Sequence, residues 1–255
     1  MQYEPVIKRI RHFFNNESQR GKNLIIYQGN PNFSNFHANY DIGVALDHYK
    51  EIIIQEETGL ELGGINKKSF SLIFPLQELN LIQDNNITLL GHEINSIKDS
   101  PLDFGLFLLI GIETSHEKEI ENLRQLNFIS NSIEGFLIRT IPRKFWCRIS
   151  SDIIKKGFSF EFLGNAIQHL YRQKFGKLIR EIEVFFINSY PDTLDHFREV
   201  SLELITQIKN RWKKKVEEWK KRIDCEYDWG CEICPYQEDC YNIKKVLIER
   251  EELEN

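Results

Sequence analysis

The sequence predicts an α+β protein, a mixed sheet with helices packed on it, followed by a C-terminal helical arm that carries a four-cysteine metal loop. Three observations lead there. Short apolar or alternating runs recur between Tyr49 and Asn188, interleaved with segments of helical spacing. A long amphipathic stretch begins after Pro191, and four of the five cysteines fall within residues 225–240. The chain divides accordingly into a helix and strand extension (1–48), an α+β domain (49–190), and a long helix with the cysteine loop (191–255).

Taken in order, residues 4–16 place Val6, Ile7, Ile10, Phe13 and Phe14 at helical spacing, with Lys8, Arg9 and Arg11 opposite. Asn23 to Tyr27 reads as a strand, and Gly29-Asn30-Pro31-Asn32 is turn chemistry. His37 and Asp41 fall in a polar loop and read as an ordinary surface pair. Tyr49 to Gln55, Ser69 to Phe74 and Ile87 to Leu90 are strand candidates. The Gly63-Gly64 pair can take positive φ, yet no Lys-Ser/Thr follows it directly as a phosphate loop requires. Phe104 to Ile112 is apolar at every position, which suits the middle of a sheet. Glu117 to Phe128 has helical spacing.

Lys144 to Ile149 alternates, with Lys144, Trp146 and Arg148 on one face and Phe145, Cys147 and Ile149 on the other. Ser150, Ser151 and Asp152 open a short helix that Gly157 stops, and its first N–H groups could hold an anion. A second helix spans Phe160 to Phe175, where Gly164 permits close approach; Glu181 to Ile187 is a buried strand. The long helix runs from Pro191 to about Ile223 on a stripe that includes Leu194, Phe197, Trp212 and Trp219. Its later part is rich in lysine and arginine, read as the solvated side of that stripe. Tyr241 to Asn255 is a charged helix with an acidic tail.

Composition narrows the function classes. A chain of 255 residues, 41% hydrophobic, buries one large core or two modest ones. A net charge of -5 and a pI near 5.9 oppose bulk attraction to nucleic acid, which is not expected as a partner. No run approaches the roughly 18 apolar residues of a membrane span, and the N-terminus lacks an export signal. A cytoplasmic protein without membrane association is expected.

Two constellations carry chemistry. The face with Lys144, Trp146 and Arg148 sets an indole between two cations, which suits a nucleotide-bearing ligand because guanidinium matches phosphate and indole stacks on a base. The competing reading packs Trp146 under a helix while the cations reach water. Cys225, Cys231, Cys234 and Cys240 supply four thiolates, with Cys231-x-x-Cys234 able to close on one centre and Pro235 directly after a ligand. A [4Fe-4S] cluster is the preferred occupant and tetrahedral zinc the alternative. A disulfide pair or unused thiols is the bland reading, disfavoured in a reducing compartment.

The stretch from Arg124 through Asn131, Glu134-Gly135, Trp146, Arg148, Ser150 and Asp152 to Lys156-Gly157 and Gly164 resembles the acetyl-CoA synthase (acetyl-CoA decarbonylase/synthase) beta subunit of the CO dehydrogenase complex. The following strand, long helix and Cys-x-x-Cys keep the family's order, so the likeness covers about residues 50–240. It implies coenzyme A handling, with Trp146 and Arg148 as contacts. It also implies that Cys231 and Cys234 match the first two cluster ligands, with Cys225 and Cys240 as local replacements for the others. The family's Gln-Arg-Asp before its strand is here Ile141-Pro142-Arg143, which moves that basic contact to Arg143. Further cysteines of the family's nickel site are not found in the residues up to Asn255, so a complete nickel centre is not expected.

The implied partners are CO dehydrogenase/acetyl-CoA synthase-type subunits or a separate catalytic subunit. The alternative of a different class is a non-catalytic zinc module whose basic helix docks a partner. Iron-sulfur nucleases of the CRISPR-associated exonuclease type share a Cys-x-x-Cys with a following cysteine, but the acidic pair they need at strand ends is not read here.

Overall fold

The computed structural model describes residues 4–30, 57–64, 67–98, 100–113, 129–133, 136–141, 144–223 and Tyr241. His37 and Asp41, the strand candidate Tyr49 to Gln55, the helix candidate Glu117 to Phe128, Arg143, the four clustered cysteines and the helix candidate after Tyr241 lie outside the described residues. The chain divides into two units, Met1–Arg198 and Glu199–Asn255.

The first unit opens with α1 (Glu4–Gln19), whose buried stripe is Val6, Ile7, Ile10, Phe13 and Phe14, the spacing one helical face requires. Gly21 stops it at a φ of 86°, where a side chain would be strained. Among the described residues nine strands follow: β1 (Leu24–Gln28), β2 (Thr58–Gly63), β3 (Ser69–Leu76), β4 (Asn86–Leu90), β5 (Phe104–Ile112), β6 (Ile129–Ile133), β7 (Phe136–Ile141), β8 (Lys144–Ser150) and β9 (Ile179–Asn188). The described residues also form the α-helices α2 (Ser151–Lys155), α3 (Phe160–Phe175) and α4 (Pro191–Ile223).

The mixed sheet expected from the sequence is present, in the order β1-β4-β9-β5-β3. A second, four-stranded sheet, β2-β8-β7-β6, accompanies it and is antiparallel throughout. In the first sheet β9 runs parallel to β4 and antiparallel to β5, which is itself parallel to β3. All nine residues of β5 are buried, because both faces of this strand are covered. On one face Phe107 and Phe185 meet Phe14 of α1 and Phe197 at the start of α4. On the other, Phe104 packs against Phe186, Phe160 of α3 and Phe145 of β8.

That last contact joins the sheets. Leu60, Leu62, Phe145, Cys147 and Ile149 enter the same core as β5, β9 and α3. Ser69 Oγ donates to the Phe145 carbonyl at 3.0 Å, and Gly63 N–H donates to the Leu102 carbonyl at 2.8 Å. Ile87 lies so close to Gly164 that a Cβ there would stand 2.7 Å from it, which explains the glycine within α3.

Two buried carboxylates tie α1 to this framework. Glu17 accepts from Lys22, from Thr193 Oγ1 at 3.3 Å and from Arg20 at 2.7 Å. Burial pushes Glu17 up, but hydrogen bonding and charge from Lys22 and Arg20 outweigh it and leave the group below the usual carboxylate value. Its contribution to stability is present above the ordinary carboxylate range and is lost as pH falls through the folded value.

Glu183 behaves oppositely. It is 1% exposed and accepts from Arg11 at 2.7 Å and from the Gln83 N–H at 3.0 Å. Burial dominates and holds it above the usual value despite those partners. The folded protein keeps this proton to higher pH than the unfolded chain, so stability falls as pH rises from the ordinary carboxylate range through the folded value. Arg11→Ala removes the cation from a buried acid. A loss of about 3 kcal/mol is expected from urea unfolding at pH 7, shrinking on acidification as Glu183 takes up its proton.

In the second unit α4 continues to Ile223. Within it the Thr206 hydroxyl donates to the Leu202 carbonyl at 2.8 Å, and Leu202 and Lys214 are exposed.

Candidate functional site

The alternation read along β8 is the one the structure shows: Phe145, Cys147 and Ile149 are buried, while Lys144, Trp146 and Arg148 are half-buried on the opposite face. Pairing with β2 brings in a residue that strand periodicity alone did not single out. Glu61 lies directly opposite Arg148, and Gly63 opposite Trp146. The Glu61 carboxylate then bridges the two side chains, accepting from the indole Nε1–H at 2.8 Å and from the Arg148 Nε–H at 3.2 Å. The guanidinium carbon sits 4.9 Å from the centroid of the indole ring, a cation–π stack.

Glu61 is held at both ends of its own peptide units. Its N–H donates to Ser100 Oγ at 3.0 Å, and its carbonyl accepts from the Leu102 N–H at 2.8 Å. The pair is neither fully wet nor fully dry, with Arg148 26% and Glu61 22% exposed, so it supplies orientation more than stability. Arg139 of β7 occupies the register position across from Trp146 on the other side of β8.

The glycine pair beside this site is structural in origin. Gly63 has a φ of 68° and Gly64 a φ of 110°. A Cβ on Gly63 would stand 2.3 Å from the Phe145 carbonyl oxygen. On Gly64 it would lie 3.4 Å from Trp146 Cδ1 and 3.5 Å from Glu61 Oε1, so glycine adds no side chain against the indole edge.

Ser150 ends β8 and caps α2, its Oγ accepting from the Ile153 N–H at 3.3 Å. That cap uses one of the N–H groups considered for an anion, and α2 is only five residues long. Cys147 is wholly buried. Burial, followed by the nearby Glu61 carboxylate, pushes its thiol far above the ordinary range, and it packs as a core side chain. Of the residues expected to act, the structure therefore brings Trp146 and Arg148 together around Glu61. Arg143, Cys225, Cys231, Cys234 and Cys240 lie outside the described residues, and among the described residues no cluster of His, Cys, Asp or Glu is arranged to hold a metal.

An α+β framework whose second sheet presents a carboxylate-braced indole and guanidinium is the class defined so far. Residues 40–192, more than half of the chain, match the CO dehydrogenase/acetyl-CoA synthase complex beta subunit family. The chain belongs to that family. The match takes in β2 to β9, and with them Glu61, Trp146 and Arg148.

Similar proteins agree. The acetyl-CoA decarbonylase/synthase complex subunit beta of Methanopyrus kandleri is 24% identical over 204 residues, covering 77% of this chain and 43% of that protein. Its counterpart from Methanothermobacter thermautotrophicus is 25% identical over 195 residues, 76% of this chain and 40% of that one. The carbon monoxide dehydrogenase/acetyl-CoA synthase subunit alpha of Moorella thermoacetica is 25% identical over 187 residues, 72% of this chain and 25% of that protein. The chain thus spans less than half the length of these relatives.

Two outcomes are expected from this geometry. Gly63→Ala combines a left-handed backbone with a collision at Phe145, and a loss of about 2 kcal/mol or more should appear in the urea midpoint. Iodoacetamide should leave Cys147 unmodified in the folded protein and modify it after unfolding, read by peptide mass mapping.

Proposed function

We propose that this chain is an iron-sulfur protein of the CO dehydrogenase/acetyl-CoA synthase type, associated with the synthesis or cleavage of acetyl-CoA in one-carbon metabolism. Its β8 face contributes to coenzyme A binding, and it works with CO dehydrogenase/acetyl-CoA synthase-type subunits or a separate catalytic subunit. The observation that carries the reading is the meeting of Trp146 and Arg148 on one face within the matched segment. A flat indole there stacks on a base, and nearby cations favour the phosphates of the same ligand.

The donor set fits one four-thiolate site. Of five cysteines, Cys147 is committed to the core, and the remaining four, Cys225, Cys231, Cys234 and Cys240, fall within residues 225–240. Four thiolates with a Cys-x-x-Cys pair suit a [4Fe-4S] cluster, which supplies one-electron transfer when bound. Zinc on the same thiolates would instead brace the fold and turn the chain into a non-catalytic interaction module.

Metal and sulfide analysis on the full chain, purified without oxygen, separates these readings. About four irons with matching sulfide, and a broad visible absorption that bleaches on reduction, are expected for the cluster. One zinc in a colourless protein overturns it. Coenzyme A binding, measured by calorimetry, should weaken by about tenfold or more in Trp146→Ala through lost stacking. Unchanged binding in that variant removes β8 from the coenzyme A site.

A further inference from the structure

We propose that β1 is a self-association edge: two copies of this chain pair β1 against β1 about a two-fold axis at Ile26, continuing the mixed sheet from one copy into the other. β1 precedes the family-matched residues 40–192 and belongs to the other sheet from the β8 face.

β1 is the terminal strand of the mixed sheet, paired with β4. Its ladder with β4 is regular, and it is bracketed by Gly91 N–H donating to the Asn23 carbonyl at 2.9 Å and Gly29 N–H donating to the Asn85 carbonyl at 2.7 Å. Odd-numbered residues therefore bond to β4, and alternation turns the N–H and C=O of Leu24, Ile26 and Gln28 to the outer edge. Among the described residues these groups have no hydrogen-bond partner. The run is closed at both ends, because Lys22 N–H donates to the Glu17 carbonyl at 3.2 Å and Asn30 N–H to Asn165 Oδ1 at 2.6 Å.

Strands left at an edge usually carry a charge, a proline or a bulge that blocks pairing. β3, at the opposite edge of the mixed sheet, contains Pro75, and β2, at an edge of the second sheet, is irregular between Thr58 and Leu60. Residues 23–30 contain no charged residue and no proline. Ile26, at the centre of β1, is 61% exposed, whereas Ile25 and Tyr27 pack against the core.

A second copy fits this pattern. The three outward residues are symmetric about Ile26, so antiparallel pairing sets Ile26 against Ile26 and Leu24 against Gln28, and every outward N–H meets an outward C=O. Sliding by two residues in either direction brings in Lys22 or Asn30, whose N–H groups are already bonded. Lys22, the nearest charge in the sequence, faces Asn30 of the second copy rather than another cation, and the two Ile26 side chains shield each other from water. A strand edge with one apolar pair falls short of the roughly 1,200 Å² of a stable interface, so the dimer forms in proportion to concentration.

Sedimentation velocity on the full chain, purified without oxygen and with its thiols reduced, tests this from about 1 µM to about 1 mM. Wild type should pass from monomer to dimer across that range. Ile26→Lys and Ile26→Glu each set like charges across the axis and should weaken the dimer by about tenfold or more. An equimolar mixture of the two variants should recover it, because opposite charges then face each other. Amide hydrogen exchange on wild type reads the same edge without a substitution. The N–H groups of Leu24, Ile26 and Gln28 should exchange freely in dilute protein and become protected in concentrated protein, while those of Ile25 and Tyr27 are protected in both. A chain that stays monomeric throughout leaves the edge to a different protein and overturns the pairing. So does a dimer that either variant leaves unchanged, one that the mixture fails to restore, or exchange at Leu24, Ile26 and Gln28 that ignores concentration.

Discussion

The packing of Phe104 against Phe145, Phe160 and Phe186 is the contact on which the rest of the first unit depends. It buries one face of β5, brings β8 onto the mixed sheet, and seats α3 over β9. Removing water from these rings is favourable in proportion to the area covered, and each large aromatic contributes more than any surface ion pair could. Because β8 is a strand, committing Phe145, Cys147 and Ile149 to that core obliges Lys144, Trp146 and Arg148 to the other side. The candidate site is thus the reverse face of a core strand.

Placing a site this way gives it precision. Strands held by paired neighbours and a packed face move less than loops, and the Trp146 indole is further fixed by a carboxylate whose own backbone is bonded on both sides. The glycines nearby serve the same end. Gly63 lets β2 pass within contact of Phe145, and Gly64, at a φ of 110°, puts no side chain beside the ring. The two buried acids illustrate how context sets charge: Glu17 is held ionised by two close cations, whereas burial raises Glu183 against Arg11.

Much of the fold was legible from local pattern. The Phe104 to Ile112 run announced a strand covered on both faces, the stripe from Val6 to Phe14 announced a helix, and the alternation at Lys144 to Ile149 named the buried and outward residues of β8. Less visible were β6 and β7, short and interrupted by Glu134-Gly135 and Pro142-Arg143, whose alternation is too brief to stand apart from loop sequence. That there are two sheets was not legible either, since strand periodicity reports which face is apolar and says nothing of the neighbour it pairs with.

The sequence by itself determined the α+β class, the in and out faces of its strands, the family through residues around Trp146 and Gly164, and the clustering of four cysteines within residues 225–240. Those are properties of spacing and residue type, which survive without coordinates. Only the tertiary structure decided that Glu61 belongs to the site, because it lies 85 residues before Trp146 and reaches it through antiparallel pairing. Only there, too, did Gly63 gain its reason, a carbonyl from another strand where its side chain would have been. Register and close approach are non-local, and one strand's sequence does not record which residue of another it will face.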